Sequence, residues 1–187
     1  MQLAAHSCLI NFIWLFYMLP WATSLAVTIR VGNLLGEERP QRARSSFRIG
    51  LWINSVIAAA MIVAIGLLRN VFPYVYVTDD AVAAAASDAA PVFLLLYTFD
   101  CLNMVIVGAL RGAGQQLVAM KLSLVQAYAI SIPVAICLGF YTPLGLFGVW
   151  MGLGCGVAVA ALGGGWFLSA RLSWRVAAQV ARKRSAQ

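Results

Sequence analysis

Residues 87–116 read SDAAPVFLLLYTFDCLNMVIVGALRGAGQQ, in which an apolar span from Pro91 to Leu110 contains one carboxylate, Asp100. The span ends at Arg111 and a glycine-rich turn. A charged side chain costs about 3 kcal/mol or more at the centre of a membrane helix, so it normally faces protein or water and serves transport or coupling. We therefore interpret this stretch as a membrane helix whose surroundings are organised by Asp100.

The composition of the whole chain favours a membrane protein. Of its 187 residues, 63% are hydrophobic and only 10% are charged, whereas soluble domains carry about 25% charged residues. Apolar stretches long enough to cross a bilayer, about 20 residues each, fill most of the sequence. We predict an all-α polytopic bundle with a membrane domain over residues 1–170 and a basic cytoplasmic tail over residues 171–187. The predicted membrane helices cover about residues 3–27, 49–68, 91–110, 122–140 and 144–168.

The placement of the basic residues predicts an orientation. The formal net charge is +7, but the Lys and Arg residues stand at segment ends and form no basic face, so nucleic acid is not an expected partner. With the N-terminus outside and the C-terminus inside, every one of the thirteen Lys and Arg residues except Arg69 falls on the cytoplasmic side. Such an asymmetry is the usual signature of topology in membrane proteins.

The depth of Asp100 predicts its chemistry. Arg111 follows eleven residues later, which places the carboxyl group roughly 16 Å inside the helix end and near the middle of a hydrocarbon core about 30 Å thick. Desolvation at that depth favours the neutral acid, so Asp100 could load and release a proton as a coupling site. The alternative is that Asp100 only accepts hydrogen bonds that hold neighbouring helices together.

Further polar and aromatic residues are candidates for the lining of a cavity around Asp100. Helical spacing places Tyr97, Asn103, Met104 and Val107 on the same face as Asp100. Other predicted spans contribute Trp14, Asn11, Gln126 and Tyr128. A polar side chain among these is also explained as an interhelical hydrogen-bond partner.

Small residues recur every four positions in the last predicted span. They form a ridge that another helix could approach closely: Gly148, Gly152, Gly156, Ala160 and Gly164. Between the first two spans, Gly32, Asn33 and Gly36 are expected to end one helix, and Pro40 suits the first turn of the next.

Catalytic and metal-binding motifs are missing from the sequence. The four cysteines show no CxxC spacing, and the sequence contains neither HExxH nor a Ser-His-Asp grouping. We therefore expect no enzyme, no metal site and no cofactor other than a coupling ion.

Five motifs follow one another along the chain: LPWATSLAVTIRVGNLLGEERPQRAR, YVTDDAV, FDCLNMVIVGALRGAGQQ, YAISIPVAICLGF and LFGVWMGLGCG. In this order and spacing they resemble the second half of the multidrug and toxic compound extrusion (MATE) transporters, most of all the eukaryotic branch. Eight residues of these motifs, expected to be structural, are Arg30, Gly32, Asn33, Gly36, Arg111, Gly112, Gly114 and Gln116. Two departures are Glu37-Glu38, where the family commonly has Ala-Gly, and a single Tyr128, where two adjacent tyrosines are common.

The resemblance implies a fold and an activity. Family members have twelve helices in two six-helix lobes, and they export organic cations and other xenobiotics in exchange for protons or sodium. The five spans resemble helices eight to twelve, and Asp100 matches an acidic residue of the tenth helix that resembles a proton-coupling position. The first lobe and the seventh helix have no counterpart here, and the start MQLAAHS contains no helix or signal that would place it outside. We therefore expect the chain to be a fragment.

Two functions follow as hypotheses. The first is an antiporter lobe, in either a plasma membrane or a vacuolar-type membrane, whose partners are membrane lipid, cationic or amphiphilic substrates and a first lobe. The second is a non-transporting membrane assembly subunit or remnant lobe that binds a partner lobe, which the missing helices and an exposed glycine ridge would favour.

Overall fold

The computed structural model describes residues 2–68, 74 and 80–185, and this part of the chain is helical with short turns and no strand. The predicted all-α class is confirmed. The helices are α1 (Gln2–Gly36), α2 (Pro40–Leu68), α3 (Asp80–Gly112), α4 (Gln116–Leu124), α5 (Ile132–Phe140), α6 (Leu146–Trp166) and α7 (Trp174–Ser185). Two π-helical stretches, Val125–Ser131 and Phe167–Arg171, join α4 to α5 and extend α6.

The turn between α1 and α2 corrects one prediction. Gly32 and Asn33 lie inside α1, which ends only at Gly36, so neither of them ends the helix. The left-handed backbone position in this turn belongs to Glu38, with φ 58°. Pro40 begins α2 as expected, because its missing N–H is not needed in a first turn.

Three helices in the described part of the chain are long and apolar enough to cross a membrane: Pro40–Leu68, Gln116–Phe140 and Phe147–Arg171. The helices α1 and α3 have 35 and 33 residues and extend beyond the predicted spans 3–27 and 91–110. The number of five membrane spans and the orientation, with the N-terminus outside and the C-terminus inside, remain predictions.

The centre of the bundle is α3, which packs against α1, α2 and α6. Its Val105 and Leu110 are fully buried and share one apolar core with Val31, Leu35 and Leu168. A separate face of α3 packs along α1, and this face carries Asp100.

The basic tail contains a helix. α7 packs against α1 and α2, and its Trp174 stacks on Phe47 with ring centroids 6.3 Å apart. The Trp174 indole N–H also donates to the Leu168 carbonyl at 3.1 Å. The tail from residue 171 is therefore anchored to the bundle over the range of α7.

The glycine ridge is covered within the chain. A Cβ atom on Gly148 would collide with the Leu138 carbonyl, one on Gly152 with the Ala135 backbone, and one on Gly156 with Ser131 Oγ. A Cβ atom on Gly164 would meet Ile106 of α3 at 2.5 Å, and Ala160 is buried too. The expected exposed ridge is thus wrong, because the Gln116–Phe140 helix lies directly on it.

Candidate functional site

The carboxyl group of Asp100 has a partner on another helix. The Tyr17 hydroxyl of α1 donates to Asp100 Oδ2 over 2.7 Å. Both side chains are partly buried, so the acid retains some exposure beside its tyrosine partner. An ionised carboxylate accepts such a bond strongly, whereas a protonated one keeps a single acceptor oxygen and gains an O–H donor.

Aromatic rings surround this pair. The Trp14 ring meets the Tyr17 ring edge to face at 5.4 Å, and the Tyr97 ring lies 6.5 Å from Tyr17 at a tilted angle. Tyr97 is buried, but Trp14 is 57% exposed. Trp14, Tyr17, Tyr97 and Asp100, here called the acid–aromatic cluster, therefore combine one carboxyl group with an accessible π surface, an arrangement that suits an organic cation.

Below the cluster, α1 and α3 share a polar seam. Ser24 Oγ donates to the Met104 carbonyl at 2.6 Å, and the Thr28 hydroxyl is shared between the Gly108 carbonyl of α3 at 3.0 Å and the Ser24 carbonyl of its own helix at 2.9 Å. The backbones approach closely because Gly108 and Gly112 have no side chains: a Cβ on Gly108 would lie 2.6 Å from the Ser24 carbonyl oxygen. Tyr17, Ser24 and Thr28 thus hold α1 along the stripe of α3 that begins at Asp100.

Two asparagines place buried amide groups at α3: Asn54, which reaches it from α2, and Asn103, which belongs to α3 itself. Asn54 of α2 is fully buried and donates from Nδ2 to the Cys101 carbonyl at 2.9 Å. The Oδ1 atoms of Asn54 and Asn103 are buried without a hydrogen-bond partner among the described residues. A polar atom in that position is stabilised by water or by a change in helix packing.

The structure does not bring every predicted lining residue to the acid. Tyr128 is 68% exposed, and it lies with Gln126 in the π-helical stretch Val125–Ser131, which packs against α6. The Met104 side chain is half-buried, and its carbonyl belongs to the seam. The side chain of Asn11 lies outside the described residues.

Tyr17 is the residue that the sequence reasoning missed. Its signal was present in the sequence, because Tyr17, Ser24 and Thr28 follow one another at spacings of seven and four residues. Such spacing puts the three polar groups on one face of a helix. A polar stripe on an apolar helix indicates contact with another polar group, which here is Asp100 and the α3 backbone.

Residues of the RVGNLLG motif (30–36) and of the RGAGQQ motif (111–116) meet at one end of the bundle. They line a cleft of about 990 Å³, here called the junction cleft, together with α7. Its motif residues are Gly32, Asn33, Gly36, Arg111, Gly112, Gly114 and Gln116. Arg30 lies beside this region and donates from Nε to Ser46 Oγ at 3.1 Å, which joins α1 to α2.

Gly114 is the motif residue whose backbone requires glycine. It adopts φ 71° in the turn between α3 and α4, a conformation that costs a residue with a side chain about 1 kcal/mol or more. The predicted glycine turn after Arg111 is therefore present, and it sets the sharp reversal from α3 into α4.

Over the described residues, a helical bundle that contains three helices long and apolar enough to cross a membrane is typical of a polytopic membrane protein. The MatE family model matches residues 1–137, and the chain belongs to this family. Its relatives are transporters, not enzymes.

Individual relatives place the chain within the family. It is 30% identical over 182 residues to multidrug and toxin extrusion protein 1 of Oryctolagus cuniculus, which is 97% of this chain and 32% of that protein. The Homo sapiens protein of the same name gives the same identity and coverage. The chain thus spans about a third of the length of these relatives.

Solved structures agree in fold. The eukaryotic MATE transporter AtDTX14 superposes with a TM-score of 0.90 at 28% identity, over 97% of this chain and 40% of that one. The MATE transporter ClbM in complex with Rb⁺ shares the fold, with a TM-score of 0.81 at 19% identity. The match covers 99% of this chain and 43% of the ClbM chain.

Proposed function

We propose that the chain is part of the second lobe of a multidrug extrusion antiporter, corresponding to helices eight to twelve, in which Asp100 exchanges a proton for an organic cation. The observation that carries the proposal is the 2.7 Å hydrogen bond between Tyr17 and Asp100 inside the acid–aromatic cluster. The names of the relatives, multidrug and toxin extrusion proteins, support the export of drugs and toxins as the function.

The exchange follows from competition for one carboxyl group. A proton and a cation each neutralise the Asp100 carboxylate, so binding of one favours release of the other. The exposed Trp14 ring, packed on Tyr17, which in turn contacts Tyr97, offers a ring face to the cation and nothing comparable to the proton. Two ligands, the proton and the cation, therefore compete for one negative charge in the cluster, which is the requirement for coupled exchange.

Protonation also changes the joint between α1 and α3. The ionised form of Asp100 accepts a charge-assisted bond from Tyr17, whereas the neutral form accepts a weaker one. The Ser24 and Thr28 bonds lie on the same seam, so a change at Asp100 alters the strength of the contact at one end of a continuous α1–α3 interface. Rocking of one lobe against another around a midplane site is the general mechanism of such transporters.

The experiment is efflux of a fluorescent organic cation from cells that express both lobes. The missing part of the transporter comes either from an in-frame extension upstream of Met1, if genomic sequence provides one, or by co-expression with the part of the rabbit relative that precedes the matched third, so that the seventh helix is included. Efflux that depends on the pH gradient supports the antiporter, and efflux that ignores both pH and sodium gradients contradicts it.

The assembly-subunit hypothesis keeps one supporting observation, the coverage of about a third of each relative. The covered glycine ridge no longer supports it. Stable association with a first lobe without any cation efflux, measured on the same co-expressed material, is the result that would favour it.

A further inference from the structure

The junction cleft combines charge with an apolar wall. Arg111, in the last turn of α3, and Arg171, just before α7, both line it and are both exposed. Glu37 also lines the cleft, but its carboxylate pairs with Arg39 at 3.2 Å. The two arginines are thus the charges that the cleft offers to a ligand, and they favour an anion.

Arg171 is held in place. Its guanidinium lies 5.3 Å from the centroid of the Trp166 ring, a cation–π contact that leaves the N–H edges of the group free to bind oxygen atoms. Asn33, Gln115 and Gln116 also line the cleft, and side-chain amide N–H groups can donate to phosphate oxygens.

The wall beside these polar groups is apolar. Val176 and Val180, one turn apart on α7, line the cleft and are 56% and 44% exposed. Phe167 and Leu172 continue the same wall. A free inorganic anion would gain nothing from this surface, whereas a molecule with an anionic head and an acyl chain would cover it.

The position of the cleft matches the membrane surface. Arg171 ends a helix that is long and apolar enough to cross a membrane, and α7 begins after only Leu172 and Ser173. Basic residues at such a boundary lie at the level of the lipid headgroups. We propose that the junction cleft binds an anionic phospholipid, with its phosphate between Arg111 and Arg171 and its acyl chain against Val176 and Val180.

The test is equilibrium binding of fluorescent phosphatidylglycerol to the full chain in uncharged detergent micelles, with fluorescent phosphatidylcholine as the neutral comparison. We expect phosphatidylglycerol to bind about tenfold more tightly or better, and R111Q and R171Q each to weaken it about fivefold. The variant R171K should retain most of the binding. Arg175 is exposed on α7 but does not line the cleft, so R175Q is the matched control and should change binding less than about twofold.

Four results would overturn the proposal. Equal binding of the two lipids would show that the cleft does not recognise the anionic headgroup. An equal loss of binding in R175Q and R171Q would show that only general surface charge is involved. Displacement of the lipid by excess inorganic phosphate alone would identify a site for free anions. Displacement by tetraphenylphosphonium, an organic cation, would make the cleft part of a substrate path.

Discussion

Tyr17 and Asp100, 83 residues apart in the sequence, join α1 to α3 through a hydrogen bond of 2.7 Å between the tyrosine hydroxyl and carboxylate Oδ2. The bond closes one end of the polar seam, and it lies where the aromatic rings of α1 and α3 meet. The bond therefore both joins the two helices and forms part of the environment of the acid. Its free energy can be measured separately from that of the other α1–α3 contacts.

The first prediction concerns this energy. Y17F and D100N together form a double-mutant cycle, and we expect a coupling free energy of about 0.6 kcal/mol, the average for hydrogen bonds between membrane helices, and at most about 1.7 kcal/mol. The measurement is the free energy of unfolding in mixed micelles titrated with sodium dodecyl sulfate. A coupling indistinguishable from zero would mean that the two side chains are not bonded in the membrane.

The second prediction concerns the close approach of α1 and α3. G108A places a Cβ 2.6 Å from the Ser24 carbonyl oxygen, so the helices must separate, and we expect a loss of about 1–3 kcal/mol in unfolding free energy. Gly163 of α6 has its nearest contact at 3.5 Å, and G163A should be neutral or stabilising by up to about 1 kcal/mol. Equal effects of the two variants in the same unfolding assay would argue against the seam.

The third prediction concerns the support of α3 by α2. Asn54 is fully buried and bonded to the Cys101 carbonyl, so N54A should destabilise the chain by about 1–3 kcal/mol. Its neighbour Ser55 is exposed and bonds only within its own helix, to Leu51. S55A should therefore stay within about 0.5 kcal/mol of the parent chain, and a larger loss in S55A than in N54A would contradict the packing described.

The fourth prediction concerns the left-handed residue between α1 and α2. Glu38 has φ 58°, and its carboxylate pairs with Arg182 of α7 at 2.6 Å, where both side chains are largely exposed. An exposed pair contributes about 0–1 kcal/mol, whereas the backbone conformation costs about 1–2 kcal/mol. We expect E38G to raise thermal stability in micelles, while E38Q, which keeps the backbone cost, should lower it slightly. A fall in melting temperature for E38G would show that the ion pair outweighs the strain.

The sequence predicted the helical class and the carboxylate inside a helix because both depend on local properties. Runs of apolar residues predict helices in a membrane, and the spacing of Asp100 from Arg111 predicts its distance from the helix end through the rise of the helix. The resemblance to the MATE transporters likewise depended on contiguous motifs, and the family match confirmed it.

Contacts between distant segments could not be predicted in the same way. Tyr17 meets Asp100 only because Gly108 and Gly112 let α1 approach α3, and no local pattern states which helix a glycine faces. The glycine ridge gave the right kind of packing but not its partner, which is a helix of the same chain. The π-helical stretch before Pro133 was not predicted either. Pro133 has no N–H and leaves a carbonyl of the preceding turn without its helical partner, but this does not specify which helical form the turn adopts.

The central claim is that one proton and one cation compete for Asp100. The most direct measurement is proton release on addition of tetraphenylphosphonium to the purified two-lobe protein in weakly buffered solution near neutral pH, followed with a pH-sensitive dye. We predict stoichiometric proton release from the parent protein, none from D100N, and unchanged release from E37Q, which alters an exposed carboxylate outside the acid–aromatic cluster. Cation binding without proton release in the parent protein, or full release in D100N, would contradict the account.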